Sequence, residues 1–153
     1  MSNPMEIALA EARAAGERGE VPVGAVIVGP DGRIIAQTGN RTETNNDPTA
    51  HAEILAIREA CRVTGEPRLP DYDLYVTLEP CPMCAAAISF ARIRRLYFGA
   101  YDPKGGGVEH GPRVYSHSTC HHRPEVYGGI AEGEAATLLR EFFQALRHAE
   151  PEK

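Results

Sequence analysis

Two short segments hold side chains able to bind a metal and move protons: His51-Ala52-Glu53 and Pro80-Cys81-Pro82-Met83-Cys84. The first lies where an apolar segment of helical period begins, with Ala50, Ile54, Ile57 and Cys61 on one stripe that Gly65 and Pro67 end. The second lies where a predicted strand, Asp73 to Leu78, passes into a largely apolar helix, Pro82 to Ala91. Singly, each has an ordinary reading. A histidine at a helix start caps or packs. Cys-x-x-Cys after a strand is also the layout of a thioredoxin-like redox site or of buried thiols.

Together the segments say something narrower. Cys81 and Cys84, at i and i+3, put two sulfurs on one face of a first helical turn, where the helix dipole favours thiolate. His51 also sits at a helix start. Because Cα–Cβ bonds tilt toward the N-terminus, two facing helix starts can bring His51, Cys81 and Cys84 onto one Zn²⁺. Three protein ligands leave the fourth tetrahedral position open, as in catalytic rather than structural zinc sites. Cys61 lies ten residues after His51, about 15 Å along the helix, too far to close the set. Cys120 stands in an irregular segment that geometry alone does not exclude. Glu53, two residues from a ligand, is placed to exchange a proton with water on the metal, provided the first turn departs from ideal helical directions. A solvent-facing helix carboxylate is the plain alternative.

The elements that must position these groups follow from pattern. Asn3, Pro4 and Glu6 make a helix start, with Met5, Ala8, Leu9 and Ala12 at helical spacing up to about Gly16. Val23 to Val28 and Arg33 to Thr38, joined by Gly29-Pro30-Asp31-Gly32, read as an antiparallel hairpin. Asp73 to Leu78, the Pro82 to Ala91 helix and Arg94 to Gly99 form a βαβ unit, which implies a parallel pair and hence a mixed sheet. A short strand is expected near Val126 to Ile130. Ala135, Leu138, Leu139, Phe142, Phe143 and Leu146 mark a closing helix. From Asp102 to Arg123 nothing is periodic, the behaviour of a functional loop.

Composition bounds the function class. At 153 residues, one domain over 1–153 is expected. The longest stretch without Asp, Glu, Lys or Arg is the twelve residues Pro80 to Ala91, short of the ~20 apolar residues of a membrane span. The opening Met1-Ser2-Asn3-Pro4-Met5-Glu6 lacks the pattern of a signal peptide, so a cytoplasmic location is expected. There, four cysteines point to metal binding, catalysis or buried thiols rather than a disulfide framework. The net charge of −5 is uneven: residues 92–123 carry six Lys/Arg against two Asp/Glu, and four of the six histidines. Such a basic island suits phosphates, or is merely a solvated surface.

The pairing of Thr49-Ala50-His51-Ala52-Glu53 with Thr77-Leu78-Glu79-Pro80-Cys81-Pro82-Met83-Cys84 resembles the zinc signature of the cytidine and nucleobase deaminase superfamily, H-x-E with P-C-x-x-C. Within it, tRNA-specific adenosine deaminases are similar over nearly the whole chain. The similar segments include Glu20 to Val26, Gly39-Asn40-Arg41, Asp47 to Ile54, Leu74 to Cys81, Arg92 to Arg95, His122-Arg123 and Leu138 to Phe143. The resemblance implies a three-layer α/β/α sandwich with a mixed, mostly parallel sheet, one zinc per subunit, a homodimer, and conversion of adenosine to inosine at the wobble position of a tRNA anticodon stem-loop. It implies that Asn40 contacts the target nucleotide, and that Asp102, Lys104, His122 and Arg123 meet the RNA. Two departures fall in that loop: Gly105-Gly106-Gly107-Val108-Glu109 replaces a Thr-Gly-Ala-Ala-Gly-like turn, and His121 stands where Asn usually precedes His-Arg. Two other functions remain open at this point: deamination of a free nucleobase or nucleoside such as guanine or cytosine, and a catalytically silent zinc-containing RNA-binding subunit. Redox chemistry recedes once His51 and Glu53 are counted.

Overall fold

The computed structural model describes residues 3–149; Met1 and Ser2, at the expected start, and residues 150–153 lie outside it. The elements are α1 (Pro4–Glu17), β1 (Gly24–Val28), β2 (Ile34–Gly39), α2 (Ala52–Thr64), β3 (Asp73–Leu78), α3 (Pro82–Phe90), β4 (Arg95–Ala100), a short 3₁₀ turn (Val114–Ser116), β5 (Glu125–Tyr127) and α4 (Glu132–Ala149). Local chemistry explains the boundaries. The Asn3 side chain accepts the Glu6 amide at 3.0 Å to open α1. Gly65, at φ 73°, ends α2 in the left-handed conformation that glycine adopts freely. The β1–β2 turn closes through Gly32 N–H to Gly29 O (2.9 Å).

The strands form one sheet in the order β2-β1-β3-β4-β5. Strand β1 is antiparallel to both neighbours, while β3, β4 and β5 are mutually parallel. Four strands therefore run one way and β1 alone runs against them, the mixed, mostly parallel sheet expected. Helices α1 and α4 cover one face, and α2 and α3 the other, completing three layers. Alternation along the strands feeds two cores. Ala25, Ile27, Leu74, Val76, Leu96 and Phe98 pack under α2 and α3, whereas Val26 joins Met5, Ala8, Leu9 and Ala135 under α1 and α4. On that second face Tyr75, Tyr97 and Tyr127 stack across three strands, with ring centroids 4.4 and 5.0 Å apart.

Helix α1 lies unusually close to the hairpin. A Cβ on Gly24 would stand 1.9 Å from the Ala8 carbonyl oxygen, so only glycine fits that contact. Helix α2 meets the sheet through a row of alanines beside the apolar stripe read from sequence. Ala52, Ala56 and Ala60 face the sheet, while Ile54, Ile57 and Cys61 are only half-buried. Small side chains let α2 approach the strands closely, and Ile57 and Cys61 pack against the margin of the same core. In α3, Cys84, Ala85, Ile88 and Ser89 are buried, and Phe90 is left 75% exposed. No helix among the described residues is long and apolar enough to cross a membrane.

Candidate active site

The βαβ unit and the loop before α2 bring two helix starts together. His51 is the N-cap residue of α2 and Cys81 that of α3, both with extended backbone and neither using its side chain as a cap. Their side chains are thus free to meet. His51 Nδ1 lies 3.6 Å from Cys81 Sγ and 3.5 Å from Cys84 Sγ, and the three donor atoms all fall within 4.8 Å of one another. Bonds of about 2.3 Å to sulfur and 2.0 Å to nitrogen, meeting at a tetrahedral angle, span about 3.5 Å. The spacing therefore fits one zinc ion.

The protonation chemistry agrees with that fit. The Cys84 thiol donates to Cys81, which, against the opposing effect of burial, holds the Cys81 thiol down to about 4 with help from His51. The same contact, together with burial, pushes the Cys84 thiol up. One negative charge is shared where two sulfurs meet, and a dication is the species that lets both ionise. The hydrogen bond to Cys81 raises His51 against desolvation. Glu53 is 4% exposed. Burial, reinforced by the Cys81 charge and opposed by its own backbone amide and His51, pushes its carboxyl up to about 7. A group with that pKa can both take and give a proton near neutrality. The extended backbone at His51 resolves the difficulty of an i, i+2 pair, because the ligand lies just outside the helix and the carboxylate inside its first turn.

A cavity of about 280 Å³ opens over these groups, lined by His51, Glu53 and Cys81 together with Val21, Val23, Asn40, Thr42, Leu78, Glu79, Asp102 and Gly105. This is near the lower end of small-molecule sites. A larger groove of about 530 Å³ runs along edge strand β2 between Glu11 and Glu59, but its lining holds no histidine or cysteine. The chemistry selects the smaller cavity.

Of the residues read from sequence as RNA contacts, Asn40 and Asp102 line this cavity. Asn40 Oδ1 accepts the Ala52 amide at 2.8 Å and its Nδ2 donates to Val21 O at 3.2 Å, which locks its orientation. Lys104 is exposed beside it, its amide donating to Asp102 Oδ1. His122 and Arg123 are placed otherwise and are absent from the lining. His122 Nε2 meets Ile93 O at 2.7 Å, and Arg123 donates to the carbonyls of Tyr115 and His117. His122 thus fastens the loop to the segment just before β4, and Arg123 ties the loop to itself. Cys120 is bonded to His122 O and Ser89 and stands outside the donor set, as does Cys61.

Sequence reasoning missed Glu79, which sits inside the recognised motif. Its side chain is wholly buried and accepts five hydrogen bonds. Asp102 N (3.0 Å) and His110 Nδ1 (2.8 Å) meet Oε1, and the amides of Val108, Glu109 and His110 meet Oε2. Burial opposes its ionisation, but these donors prevail and hold the carboxyl below the usual glutamate range. The irregular loop is therefore built around one carboxylate. A Cβ on Gly106 would lie 2.4 Å from Glu79 Oε2, which accounts for glycine at that position. No local pattern announces such an anchor, since its partners lie 23 to 31 residues away.

Comparison with known proteins agrees with this geometry. Residues 1–100 match the cytidine and deoxycytidylate deaminase zinc-binding region. The tRNA-specific adenosine deaminase of Agrobacterium fabrum is 67% identical over 143 residues, covering 94% of this chain and 93% of that one. The enzyme of the same description from Bacillus subtilis is 46% identical over 94% of this chain and 88% of its own length. A solved structure from work on A-to-I editing by tRNA:A34 deaminases at the wobble position superposes with a TM-score of 0.87, at 68% identity, over 89% of this chain and 98% of that chain. The chain therefore belongs to the tRNA-specific adenosine deaminases, within the zinc-binding cytidine and deoxycytidylate deaminase family.

Proposed function

We propose that this protein hydrolyses adenosine to inosine at the wobble position of a tRNA anticodon, using one zinc per subunit held by His51, Cys81 and Cys84. The observation that carries the reading is the convergence of these three donors beside buried Glu53 in a base-sized cavity. Zinc with three protein ligands keeps one position open and makes hydroxide available near neutral pH. Glu53 takes the proton of the attacking water and delivers it to the purine N1 as C6 is attacked. It then carries a proton to the C6 amino group, which leaves as ammonia, so that adenosine and water become inosine and ammonia. Asn40 and Asp102 orient the base from the cavity wall, with Lys104 near the flanking phosphates. His122 and Arg123 meet the RNA from the basic loop, whose course their bonds to Ile93, Tyr115 and His117 help to set.

A stacked adenosine cannot enter so small a cavity, so the base must splay out, which a single-stranded loop permits at modest cost. The catalytic unit is read as a single domain over 1–153, working in the cytoplasm as a homodimer. The reading is tested by ammonia release and product mass spectrometry on an anticodon stem-loop with a wobble adenosine, against free adenosine, guanine and cytosine. Turnover of the stem-loop is expected. Turnover of a free base alone would retain the zinc chemistry and overturn tRNA as the substrate.

A further inference from the structure

Glu20 is a third buried carboxylate beside the cavity, after Glu53 and Glu79, and the chemistry above leaves it unused. It is 1% exposed, in the connection between α1 and β1. Its oxygens accept four hydrogen bonds from one short stretch of chain. Oε1 receives the Glu43 amide (3.1 Å) and the Thr42 hydroxyl (3.3 Å), and Oε2 receives the Thr44 amide (2.7 Å) and hydroxyl (2.6 Å). An unpaired carboxylate in such a place would be costly. Burial alone would raise its pKa, but the four donors outweigh it and keep the group ionised below the usual glutamate range.

Every donor belongs to residues 42–44, and Thr42 lines the substrate cavity. Asn40, at the start of the same loop, is fastened separately, by Val21, Ala52 and the guanidinium of Arg18 on its carbonyl (2.9 Å). Backbone bonds at Arg41–Ala50 and Asp47–Thr42 close the loop on itself. Among the described residues, Glu20 is the one side chain from outside the loop that holds residues 42–44. Beyond them the outer surface is polar and exposed, with Arg41, Glu43, Asn45 and Asn46 facing solvent.

We infer that Glu20 is a positioning residue for the RNA substrate: through Thr42 and Thr44 it fixes the rim against which nucleotides flanking the target base dock. This rests on the RNA-deaminase reading above. The metal donors and Glu53 are carried by the starts of α2 and α3, which no Glu20 hydrogen bond touches. Loss of the anchor therefore weakens substrate docking and spares the chemical step.

The test compares the zinc-loaded full chain with Glu20→Gln, Thr44→Val and the double variant. It reads kcat and KM on the anticodon stem-loop, zinc content, and hydrogen exchange at the Glu43 and Thr44 amides. Glu20→Gln is expected to raise KM about tenfold, which corresponds to about 1.4 kcal/mol, with kcat changed by less than about twofold. Zinc content stays at the wild-type level, and the two amides lose protection. Thr44→Val gives a smaller rise in KM, and the double variant falls short of the sum because both changes act on one network. An unchanged KM, a fall in kcat at constant KM, or strict additivity overturns the inference.

If Glu20→Gln does not fold, Thr44→Val alone leaves both amide bonds and carries the same KM-against-kcat split. If the wild-type protein does not turn over the stem-loop, the RNA reading fails, and docking of RNA at this rim fails with it. Protected amides in a folded Glu20→Gln variant would instead refute the anchoring itself, whatever the substrate.

Discussion

Replacing Glu79 by Gln changes one oxygen to an amide nitrogen and removes a charge, leaving size and shape almost intact. The five donors around the carboxylate divide as two on Oε1 and three on Oε2. A glutamine does best by turning its oxygen to the three amides of Val108, Glu109 and His110. Its own N–H groups then face the Asp102 amide, donor against donor, and His110 Nδ1, which can respond only by acting as an acceptor. Hydrogen bonds to a charged partner contribute about 1.5–3 kcal/mol each, and a buried donor left unmatched costs about 1–3 kcal/mol. Losing the Asp102 bond, and the charge assistance in the others, should destabilise the protein by about 2–4 kcal/mol. That is a large share of the roughly 5–15 kcal/mol that holds a domain folded. Guanidinium unfolding of the zinc-loaded proteins measures it, as a lower midpoint at unchanged slope. A loss below about 0.5 kcal/mol, the range of an ordinary surface substitution, would refute Glu79 as the organiser of the loop.

Four cysteines separate into two classes: Cys81→Ala and Cys84→Ala should lower zinc from about one per chain toward none, whereas Cys61→Ala and Cys120→Ala should bind zinc like the wild type in metal analysis. Removing the ion with a chelator should lower the melting temperature, and added zinc should restore it, because the ion ties the starts of α2 and α3 together. Gly24→Ala places a Cβ against the backbone of α1 and should cost about 3 kcal/mol or more in denaturant unfolding; a neutral result would mean that α1 shifts freely. Glu20 is held below its ordinary value of 4.5, so its ionised form contributes stability above about pH 4.5 that is lost as pH falls through the folded-state pKa. The stability gap between wild type and Glu20→Gln should therefore narrow on acidification, and a gap constant with pH would contradict that assignment.

The hairpin, the βαβ unit and the closing helix were legible because their signals are local: turn residues, alternation and helical period. The donor set was legible for a related reason, since Cys81 and Cys84 share a helical turn and His51 and Glu53 bracket another. The apolar stripe of α2 was legible, but the closest contact with the sheet was not, because alanine carries little weight in a hydrophobic pattern and Ala52, Ala56 and Ala60 are the residues that let the helix approach. The loop anchors were invisible. Glu20 and Glu79 bind backbone amides more than twenty residues away, and any residue type can supply such an amide. His122 and Arg123 show the converse. The resemblance gave them to RNA, and no local pattern shows that they also bond the carbonyls of Ile93, Tyr115 and His117.

Glu53 as the proton carrier at a zinc centre is tested most directly by single-turnover deamination of the anticodon stem-loop by wild type and Glu53→Ala, with zinc measured in the same samples. The expected result is full zinc in both and a rate loss of at least ~10²–10⁴-fold in the variant. Near-wild-type turnover by a zinc-loaded Glu53→Ala protein would contradict the role assigned to that carboxylate, and with it the mechanism.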